Sequence, residues 1–326
     1  MSDPYAFILR ENGGPEILEA ELIDIPRPEA GQVLVRHEAV GLNFIDTYHR
    51  SGLYKLPLPA GLGIEAAGTV EALGEGVTGF REGDRVGYFS GTAGAYASHR
   101  TILADKLVKL PDAISFEQAA ASLLKGTTAE YLIERCARVE GGQTILVHAA
   151  AGGVGSILVP WLKHVGATVI AHAGDSKKAE IAAGLGADHA LCCPMDELAG
   201  EVRALTGGRG VPVVLDGVGA ASWQASLGSV ARRGLIVSYG NASGPVPPFS
   251  AIDLLTAGSI FVTRPTLADY CATPEERQAS AARLFEMIGK SVVEVRIGAR
   301  FPLKQAAEAH RAIEARATTG STILLP

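Results

Sequence analysis

Cysteine is scarce in this sequence, with 4 in 326 residues at positions 136, 192, 193 and 271. Adjacent cysteines such as Cys192 and Cys193 rarely pair with each other, and no two are spaced as C-x-x-C. The sequence therefore predicts neither a disulfide framework nor a cysteine-based zinc site.

Charge is limited as well. Only 20% of the residues are charged, the formal net charge is −6, and no run of like charges occurs. Proteins that bind nucleic acid or an anionic membrane usually carry a basic patch. The sequence predicts neither of these partners.

Long apolar runs are also missing, because no stretch reaches the roughly 18 residues needed to span a bilayer. The opening MSDPYAFILRENGG lacks the basic start, apolar centre and small-residue cleavage site of a signal peptide. These features predict a cytoplasmic protein without a membrane segment.

What the chain does have is apolar bulk. Of its 326 residues 47% are hydrophobic, which is enough for a large core and, at this length, for two domains. Residues 1–124 read as short strands separated by turns. One strand is QVLVRHEAVGLN, and a later alternating segment is punctuated by glycines at 74, 76, 79 and 83. We expect a compact β-rich, barrel-like domain here.

From residue 125 the pattern changes to apolar strands that alternate with helical segments. Near-continuous apolar strands of this kind are typical of a parallel sheet covered on both faces. Six of them predict a doubly wound, Rossmann-type nucleotide-binding domain in an α/β protein. The predicted strands are 144–149, 168–173, 189–192, 212–218, 234–240 and 259–264.

The last part of the chain, 265–326, contains two amphipathic helical patterns and a short terminal strand, STILLP. We expect it to rejoin the first domain. The predicted organisation is 1–124 and 265–326 in one domain, with 125–264 inserted as the other.

A glycine cluster separates the first apolar strand of the inserted domain from the helix that follows. In AAGGVG, Ala150, Gly152 and Gly155 fall on the positions of the dinucleotide motif G-x-G-x-x-G. Gly152 lets the backbone approach a pyrophosphate and Gly155 lets the helix pack against the strand, while Gly153 and Val154 lie between them. The helix N-terminus would then bind the phosphates. The alternative is a tight turn without a ligand.

The end of the second strand, Ala173–Gly174, indicates which dinucleotide binds. An NAD site usually has an acidic residue there for the ribose hydroxyls. None is present, and Lys177 and Lys178 follow at once, which favours a 2′-phosphate and hence NADPH over NADH. Two alternatives remain: the lysines could lie on a solvated helix face, and Asp175 could turn towards the ribose.

Several stretches together resemble the zinc-free quinone oxidoreductases, the zeta-crystallin-like branch of the medium-chain dehydrogenase/reductase superfamily. The resemblance implies a GroES-like catalytic domain around a Rossmann domain, NADPH as hydride donor, and a homodimer that forms through 259–264. The stretches are GLNFIDTYHRSGLY (41–54), GLGIEAAGTVEALGEGV (61–77), ISFEQAAASLLKGTTAEYL (114–132), VHAAAGGVGS (147–156) and FPLKQAAEAHRAIEARATTGSTILLP (301–326).

The related zinc alcohol dehydrogenases provide a contrast. Where that group has zinc ligands, this sequence has Asn43, Ile64 and about Leu124, and residues 1–135 contain no cysteine for a structural lobe. Catalytic zinc needs about three protein ligands. The sequence therefore predicts no metal site, and it predicts a substrate that accepts hydride readily, such as a quinone or an enone.

The resemblance places four candidate catalytic residues in one segment. Asn43 would offer an amide to nicotinamide or substrate, although it could be a simple turn residue. Asp46 would orient its neighbours through hydrogen bonds. Tyr48 and Tyr54 would line the quinone pocket, because a tyrosine can stack on a flat ring and donate to its oxygen, although either could be a half-buried core residue.

Further cofactor-binding residues also follow from the resemblance, beside the glycine loop, Gly174 and Lys178. Tyr239, Gly240 and Asn241 end the fifth strand, at the carboxyl edge where ligands bind in such sheets. The others are Thr128 near the nicotinamide, which could instead serve helix-start packing, and Arg316 at the adenosine 2′-phosphate, which could instead be a helix-end cation that complements the dipole. Cys193 stands where related enzymes often have a phosphate-binding tyrosine, which weakens the preference for NADPH.

The sequence thus predicts an NADPH-dependent, metal-free quinone reductase. Two alternatives remain at this stage: an alkenal or enoyl reductase with the same fold, and a non-catalytic, crystallin-like NADPH-binding protein. Some relatives bind RNA, and the acidic net charge argues against that partner here.

Overall fold

The computed structural model describes residues 3–89 and 91–326, which form two compact units. The first unit comprises Met1–Thr127, Cys271–Gly289 and Val295–Pro326. The second unit comprises Thr128–Tyr270 and Lys290–Glu294. The chain therefore leaves the first unit and returns to it.

The strands follow the chain in this order: β1 (Tyr5–Leu9), β2 (Ala20–Leu22), β3 (Gln32–Leu42), β4 (Ala60–Gly61), β5 (Glu65–Leu73), β6 (Arg85–Phe89), β7 (His99–Leu103), β8 (Val108–Lys109), β9 (Thr144–His148), β10 (Thr168–His172), β11 (His189–Leu191), β12 (Val211–Asp216), β13 (Val230–Ser238), β14 (Phe261–Thr263), β15 (Ile297–Pro302) and β16 (Ser321–Leu325).

The helices are α1 (Phe44–Ser51), α2 (Phe116–Glu130), α3 (Gly155–Val165), α4 (Ser176–Gly184), α5 (Leu198–Leu205), α6 (Trp223–Ser229), α7 (Ala251–Thr256), α8 (Leu267–Tyr270), α9 (Pro274–Gly289) and α10 (Ala306–Glu314). A π-helical turn, Tyr131–Cys136, continues α2. The two amphipathic patterns predicted near the end of the chain correspond to α9 and α10, and the predicted terminal strand is β16.

The main sheet of the first unit is built around β3. This strand pairs with β5 on one side and with β7 and β16 on the other, all antiparallel. Its apolar side chains, among them Val33, Val35 and Val40, are fully buried in the core. Within the described residues the sheet has seven strands: six follow the order β15-β16-β3-β5-β6-β8, and β7 pairs with β3 beside this path. A strand near residue 325 therefore completes a sheet that begins near residue 32.

Turns in this unit lie where the sequence places glycine. Gly76, Gly79 and Gly83 all have positive φ angles, of 77°, 85° and 85°. Side chains with a Cβ atom rarely adopt this conformation, so glycine permits the tight turns between β5 and β6. The strand-and-turn interpretation of this region is confirmed.

The second unit contains the predicted six-stranded parallel sheet. Its order is β11-β10-β9-β12-β13-β14, and every pair is parallel. The first strand of the unit, β9, lies in the middle of the sheet. β10 and β11 extend the sheet on one side of β9, and β12, β13 and β14 extend it on the other, which is the doubly wound Rossmann arrangement. The predicted fold of this part is confirmed.

Strand ends were less predictable than the strands themselves. The sixth strand was expected over 259–264 and spans only Phe261–Thr263. Ser259 has a φ angle of 57°, which is outside the extended region, so the strand cannot begin there. Within the described residues, no helix combines the length and the apolar composition that crossing a membrane requires.

Candidate active site

Asn43 lies between the end of β3 and the start of α1, with extended backbone angles. Its backbone N–H donates to Asp46 Oδ2 at 2.9 Å, and its side-chain Nδ2 donates to Glu65 Oε2 at 2.8 Å. Asn43 thus bridges two carboxylates that are both fully buried. Because a carboxylate only accepts, the contact with Glu65 fixes which end of the Asn43 amide faces it.

Glu65 collects three donors at the start of β5. Besides Asn43 it accepts the backbone N–H of Leu124 at 2.6 Å, and the ammonium of Lys125 lies 3.4 Å from Oε2. Lys125 is itself only 7% exposed. A buried carboxylate needs such partners, because an unpaired charge in the core is costly.

Gly41 makes room for this carboxylate. A Cβ atom at Gly41 would overlap with Glu65 Oε2 and with the carbonyl oxygen of Ala120. Any other residue in this position of β3 would displace either the side chain or α2. The local sequence Gly41-Leu42-Asn43 is therefore needed for the geometry around Glu65.

Asn43 and Leu124, two of the positions that correspond to zinc ligands in related enzymes, meet here through Glu65. Neither has a side chain that binds zinc well, and the third position, Ile64, is also apolar. Across residues 3–89 and 91–326, no group of three or more histidine, cysteine or acidic side chains could hold a metal ion.

Asp46 lies on the first turn of α1 and is fully buried. In addition to the Asn43 N–H, the Tyr96 hydroxyl donates to its Oδ2 at 3.3 Å, whereas Oδ1 has no hydrogen-bond partner among the described residues. Burial raises the pKa of Asp46 to about 7, and the negative charge of Glu65 acts in the same direction. This carboxyl group therefore titrates near neutral pH.

Tyr48 and Tyr54 are brought together at the end of α1. Their ring centroids are 5.2 Å apart in an edge-to-face arrangement, and the backbone N–H of Tyr54 donates to Tyr48 O at 3.0 Å. Tyr48 is buried and Tyr54 is half-buried. All four predicted catalytic residues thus lie on α1 and its two flanking segments.

In the second unit, the glycine loop forms a close turn between β9 and α3. A Cβ atom on Gly155 would lie 2.6 Å from the carbonyl oxygen of Ala150 and would also overlap with that of Ala149. Ala149 itself has a positive φ angle of 51°. Only glycine lets α3 begin this close to the strand, as the dinucleotide motif requires.

The first turn of α3 has no side-chain cap. The residue before the helix, Val154, has a hydrocarbon side chain and makes no capping hydrogen bond. The N–H groups of Ser156 and Ile157 donate to the carbonyl oxygens of Gly152 and Val154, so the N–H groups just before them, on Gly153, Val154 and Gly155, are the ones that suit an anion together with the helix dipole. Gly152, Gly153 and Val154 line this turn, so the residues present fit a pyrophosphate.

Asp175, just after β10, makes two contacts with the helix that follows it. Its Oδ1 accepts the backbone N–H of Lys178 at 2.8 Å, so it caps α4. The ammonium of Lys178 lies 3.5 Å from its Oδ2. Gly174 and Lys177 beside it are exposed. Asp175 is thereby directed towards its own helix.

Asp216 closes the loop that follows β12. Its Oδ1 accepts the N–H groups of Val218 at 2.8 Å and Gly219 at 3.2 Å. Its Oδ2 lies 2.7 Å from the hydroxyls of Ser222 and Ser226 on the far side of that loop. A single buried carboxylate therefore fixes the loop to the start of α6.

Ser226 extends this network to β9. Its hydroxyl lies 3.0 Å from His148 Nε2, at the strand end that precedes the glycine loop. Because Ser226 donates its one proton to Asp216, His148 must donate from Nε2. Burial lowers the pKa of His148 to about 4, so the ring is neutral. The carboxyl ends of β9 and β12 are joined by side-chain hydrogen bonds.

Tyr239, Gly240 and Asn241 follow β13 at the same edge of the sheet. A Cβ atom on Gly240 would overlap with the carbonyl oxygen of Gly217, and one on Gly217 would lie 2.8 Å from the Tyr239 ring. The segments after β12 and β13 are thus in direct contact.

Two further predicted cofactor residues come from other parts of the sequence. Thr128 is buried near the end of α2. Arg316 follows α10, is exposed, and has a φ angle of 55°. Cys193, in the position of the missing tyrosine, accepts a hydrogen bond at its carbonyl oxygen from His172 Nε2 at 3.0 Å.

Sequence reasoning missed several buried polar residues that hold these groups: Arg50, Glu65, Tyr96, Lys125, His148, Asp216, Ser226 and His310. A signal was present for some of them. Lys125 and His310 lie within alanine-rich helical patterns, and a polar group that such a helix buries needs a partner. The partners themselves come from distant segments and leave no trace in the local sequence.

Comparison with known proteins identifies both units. Residues 29–112 match the family described as "Alcohol dehydrogenase GroES-like domain", and residues 153–286 match the family described as "Zinc-binding dehydrogenase". The predicted fold class, a GroES-like domain with a Rossmann domain, is confirmed. The second description names zinc, but the side chains of Asn43, Ile64 and Leu124 are not zinc ligands.

Individual relatives extend over the whole chain. A structure of Escherichia coli quinone oxidoreductase complexed with NADPH is 44% identical, with a TM-score of 0.96 over 99% of this chain and 100% of that one. A 2-haloacrylate reductase of a Burkholderia species is 40% identical over 98% of each chain. A quinone oxidoreductase of Pseudomonas aeruginosa is 49% identical over 96% of this chain and 97% of that protein. On this full-length similarity, the chain belongs to the quinone oxidoreductase family.

Proposed function

We propose that this protein is an NADPH-dependent quinone reductase that works without a metal ion. The observation that carries the proposal is the turn between β9 and α3, where Gly155 brings a helix N-terminus without a side-chain cap against the strand. Relatives named quinone oxidoreductase, one of them solved with NADPH, support the same activity.

NADPH, when bound, supplies a hydride from nicotinamide C4. Gly153, Val154 and Gly155 are assigned to bind its pyrophosphate through backbone N–H groups, and Gly152, whose N–H donates to Ala149 O, is assigned to let the backbone approach it. Tyr239, Gly240, Asn241 and Thr128 are proposed to contact the nicotinamide half. The hydrogen bonds of Asp216 support this by fixing the loop on which Tyr239 and Gly240 pack.

The preference for NADPH over NADH is assigned to Lys178 and Arg316, and Gly174, with no atom within 4 Å of an added Cβ, leaves space near Lys178. Asp175 supports this assignment, because its Oδ1 caps α4. A hydrogen bond to a charged group contributes about 1.5–3 kcal/mol, or tenfold or more in affinity. Two such contacts would be enough for selectivity even with Cys193 in place of tyrosine.

On the substrate side, Tyr48 and Tyr54 are proposed to hold the flat ring of a quinone. Their edge-to-face pair supports this, because it presents an aromatic surface with two hydroxyl groups. Asn43 is proposed to orient the reacting groups through its amide, which Glu65 holds in place. Asp46 is assigned a role in holding Asn43 rather than in contacting substrate, since it is fully buried.

The test is oxidation of NADPH and of NADH by the pure protein with 1,4-benzoquinone, 9,10-phenanthrenequinone and 2-chloroacrylate. We expect rapid NADPH consumption with a quinone and slow NADH consumption. Lys178→Ala and Arg316→Ala should each weaken NADPH binding about tenfold or more and leave NADH binding unchanged. Arg209→Ala serves as control, because Arg209 is exposed and precedes β12, at the opposite edge of the sheet.

A second candidate is an enoyl or alkenal reductase on the same fold, which the similarity to a 2-haloacrylate reductase favours. Faster turnover of 2-chloroacrylate than of either quinone would establish it. If NADPH binds and no acceptor consumes it, the non-catalytic NADPH-binding alternative replaces both.

We also propose a homodimer that forms through β14. This strand pairs only with β13 among the described strands, so it is the edge of its sheet. Phe261 on β14 is 64% exposed, and Ile252 and Leu255 on the preceding helix are about as exposed. Sedimentation should show a dimer for the wild type and a monomer for Phe261→Asp.

A cytoplasmic location is proposed as well. The four cysteines are all free thiols, as expected in a reducing compartment. Fractionation of the source cells tests this location.

A further inference from the structure

A line of hydrogen bonds reaches Asp46 from the far end of the chain. The Tyr96 hydroxyl lies 3.3 Å from Asp46 Oδ2 and 2.9 Å from His310 Nε2. The other ring nitrogen of His310, Nδ1, lies 2.8 Å from the guanidinium of Arg50. All four side chains are at least nine-tenths buried.

The chemistry of these groups fixes the direction of every hydrogen bond. A guanidinium can only donate, so His310 Nδ1 accepts from Arg50. The neutral ring then has its proton on Nε2, which donates to the Tyr96 oxygen. The hydroxyl proton of Tyr96 is left to donate to Asp46. Burial lowers the pKa of His310 to about 3, in agreement with a neutral ring.

Arg50 is held firmly at the other end. Its Nε donates to the carbonyl oxygen of Gly13 at 3.1 Å, and its Nη2 lies 2.6 Å from Glu314 Oε1. Glu314 is 37% exposed and comes from the same helix as His310. The chain of contacts therefore runs from the surface of α10 to the carboxylate beneath Asn43.

This series of hydrogen bonds cannot conduct protons to solvent. A guanidinium does not give up its proton in proteins, so any transfer along the line would stop at Arg50. The chain instead orients dipoles: each donor points towards Asp46, and the positive charge of Arg50 lies behind them. Such an arrangement favours the ionised form of the carboxylate.

We propose that Tyr96 and His310 are positioning residues of the active site, which aim a hydroxyl donor at Asp46 and so control the carboxylate that holds Asn43. This inference rests on the proposed quinone reductase activity. Asp46 Oδ2 is shared by the Tyr96 hydroxyl and the Asn43 N–H, so a change in its charge or orientation reaches Asn43 directly.

Charged groups from several elements surround Asp46, and all of them enter the proposal. Glu65 on β5 opposes ionisation of Asp46, and Lys125 on α2 favours it. The remaining groups are Tyr96, His310 and Arg50. With Glu314 included, the cluster has three carboxylates and two fixed cations, so Asp46 is the acid left without a full counter-charge.

The experiment compares Tyr96→Phe, His310→Phe and His310→Gln with the wild type. Tyr96→Phe removes the hydroxyl that donates to Asp46, and His310→Phe removes the ring that orients this hydroxyl. Because a lost donor disfavours the anion, we expect the apparent pKa near 7 in the pH profile of kcat/KM to rise by about one unit. His310→Gln should restore the wild-type profile, because an amide can accept from Arg50 and donate to Tyr96.

A matched control exists in the same unit. The Tyr88 hydroxyl lies 2.9 Å from His37 Nε2, so this is a second buried tyrosine–histidine pair. Tyr88→Phe removes the same kind of hydrogen bond away from Asp46. It should lower stability as Tyr96→Phe does and leave both the pH profile and the NADPH dissociation constant unchanged.

The proposal is overturned if Tyr96→Phe and His310→Phe fold and keep the wild-type pH profile, or if His310→Gln behaves like His310→Phe. A second readout does not need activity. The pKa of Asp46 can be obtained from the pH dependence of unfolding, measured with and without Asp46→Asn in each background. If the wild type reduces no quinone, the proposed function fails, and this linkage measurement still decides the role of Tyr96. Tyr96→Phe loses one oxygen only, so it tests the proposal even if His310→Phe does not fold.

Discussion

The side-chain amide of Asn43 donates to the buried carboxylate of Glu65 at 2.8 Å, which joins the end of β3 to the start of β5. The same carboxylate binds Lys125 and the backbone of Leu124. One acidic side chain thus holds both α2 and the Asn43 amide that is proposed to orient the substrate.

Glu65→Gln should therefore lower stability strongly. Glutamine leaves Lys125 buried without a counter-charge, and its NH₂ group faces donors, so we expect a loss of about 3–5 kcal/mol in the free energy of unfolding. Glu71→Gln on the same strand is the control, because Glu71 is 33% exposed and its pair with Arg36 should contribute less than about 1 kcal/mol. Urea unfolding measures both. Equal losses would contradict the importance given to Glu65.

Gly155→Ala should abolish NADPH binding. The added methyl group would overlap with the carbonyl oxygens of Ala149 and Ala150, so α3 would have to move away from β9. Gly200→Ala is the matched control, since Gly200 lies within α5 and has no atom within 4 Å of the added carbon. It should raise stability by about 0.5–1 kcal/mol. Titration of NADPH fluorescence follows binding, and tight binding by Gly155→Ala would contradict the pyrophosphate assignment.

Asn43→Asp should make stability more dependent on pH. It places a third carboxyl group beside Asp46 and Glu65, and like charges in a buried site disfavour ionisation. A carboxyl group whose pKa is raised in the folded state makes the protein less stable as pH rises, because the group ionises first in the unfolded chain. We expect the melting temperature to fall relative to that of Asn43→Ser as pH rises from about 4, the unfolded pKa of an aspartate, through about 7, the pKa of Asp46 before the third carboxyl group is added. Parallel curves for the two variants would show that the site tolerates a third charge.

Acid should destabilise the protein through its buried histidines. Burial lowers the pKa of His37 to about 3, so below pH 6.5 the unfolded chain binds a proton that the folded chain does not. Stability then rises with pH across this window, by about 1.4 kcal/mol per pH unit for each such histidine. His37→Gln should flatten the curve between pH 4 and pH 6 by that amount. Urea unfolding at several pH values checks this, and an unchanged slope would mean that His37 is charged when folded.

The sequence predicted the second unit well, because both faces of its strands are covered and the strands are apolar throughout. The resemblance led to Asn43, Asp46, Tyr48 and Tyr54, which lie close together in the chain, and their roles stay a prediction. The contact between Tyr96 and His310 links residues 214 positions apart, and local patterns contain no information on it. Asp175 shows a different limit of sequence-based prediction. An aspartate at this position can cap α4 or bind a ribose, and the sequence alone does not distinguish the two roles.

The pairing of β16 with β3 has a consequence for synthesis on the ribosome. Residues 128–270 are contiguous in sequence, so the parallel sheet can fold while the rest of the chain is still being translated. The first unit must wait, because β3 remains without β16 and Arg50 without His310 until the last strand has emerged. During that interval an unpaired part of a long apolar strand is exposed. Truncated or stalled chains should therefore aggregate through β3 even though their nucleotide-binding unit is already folded.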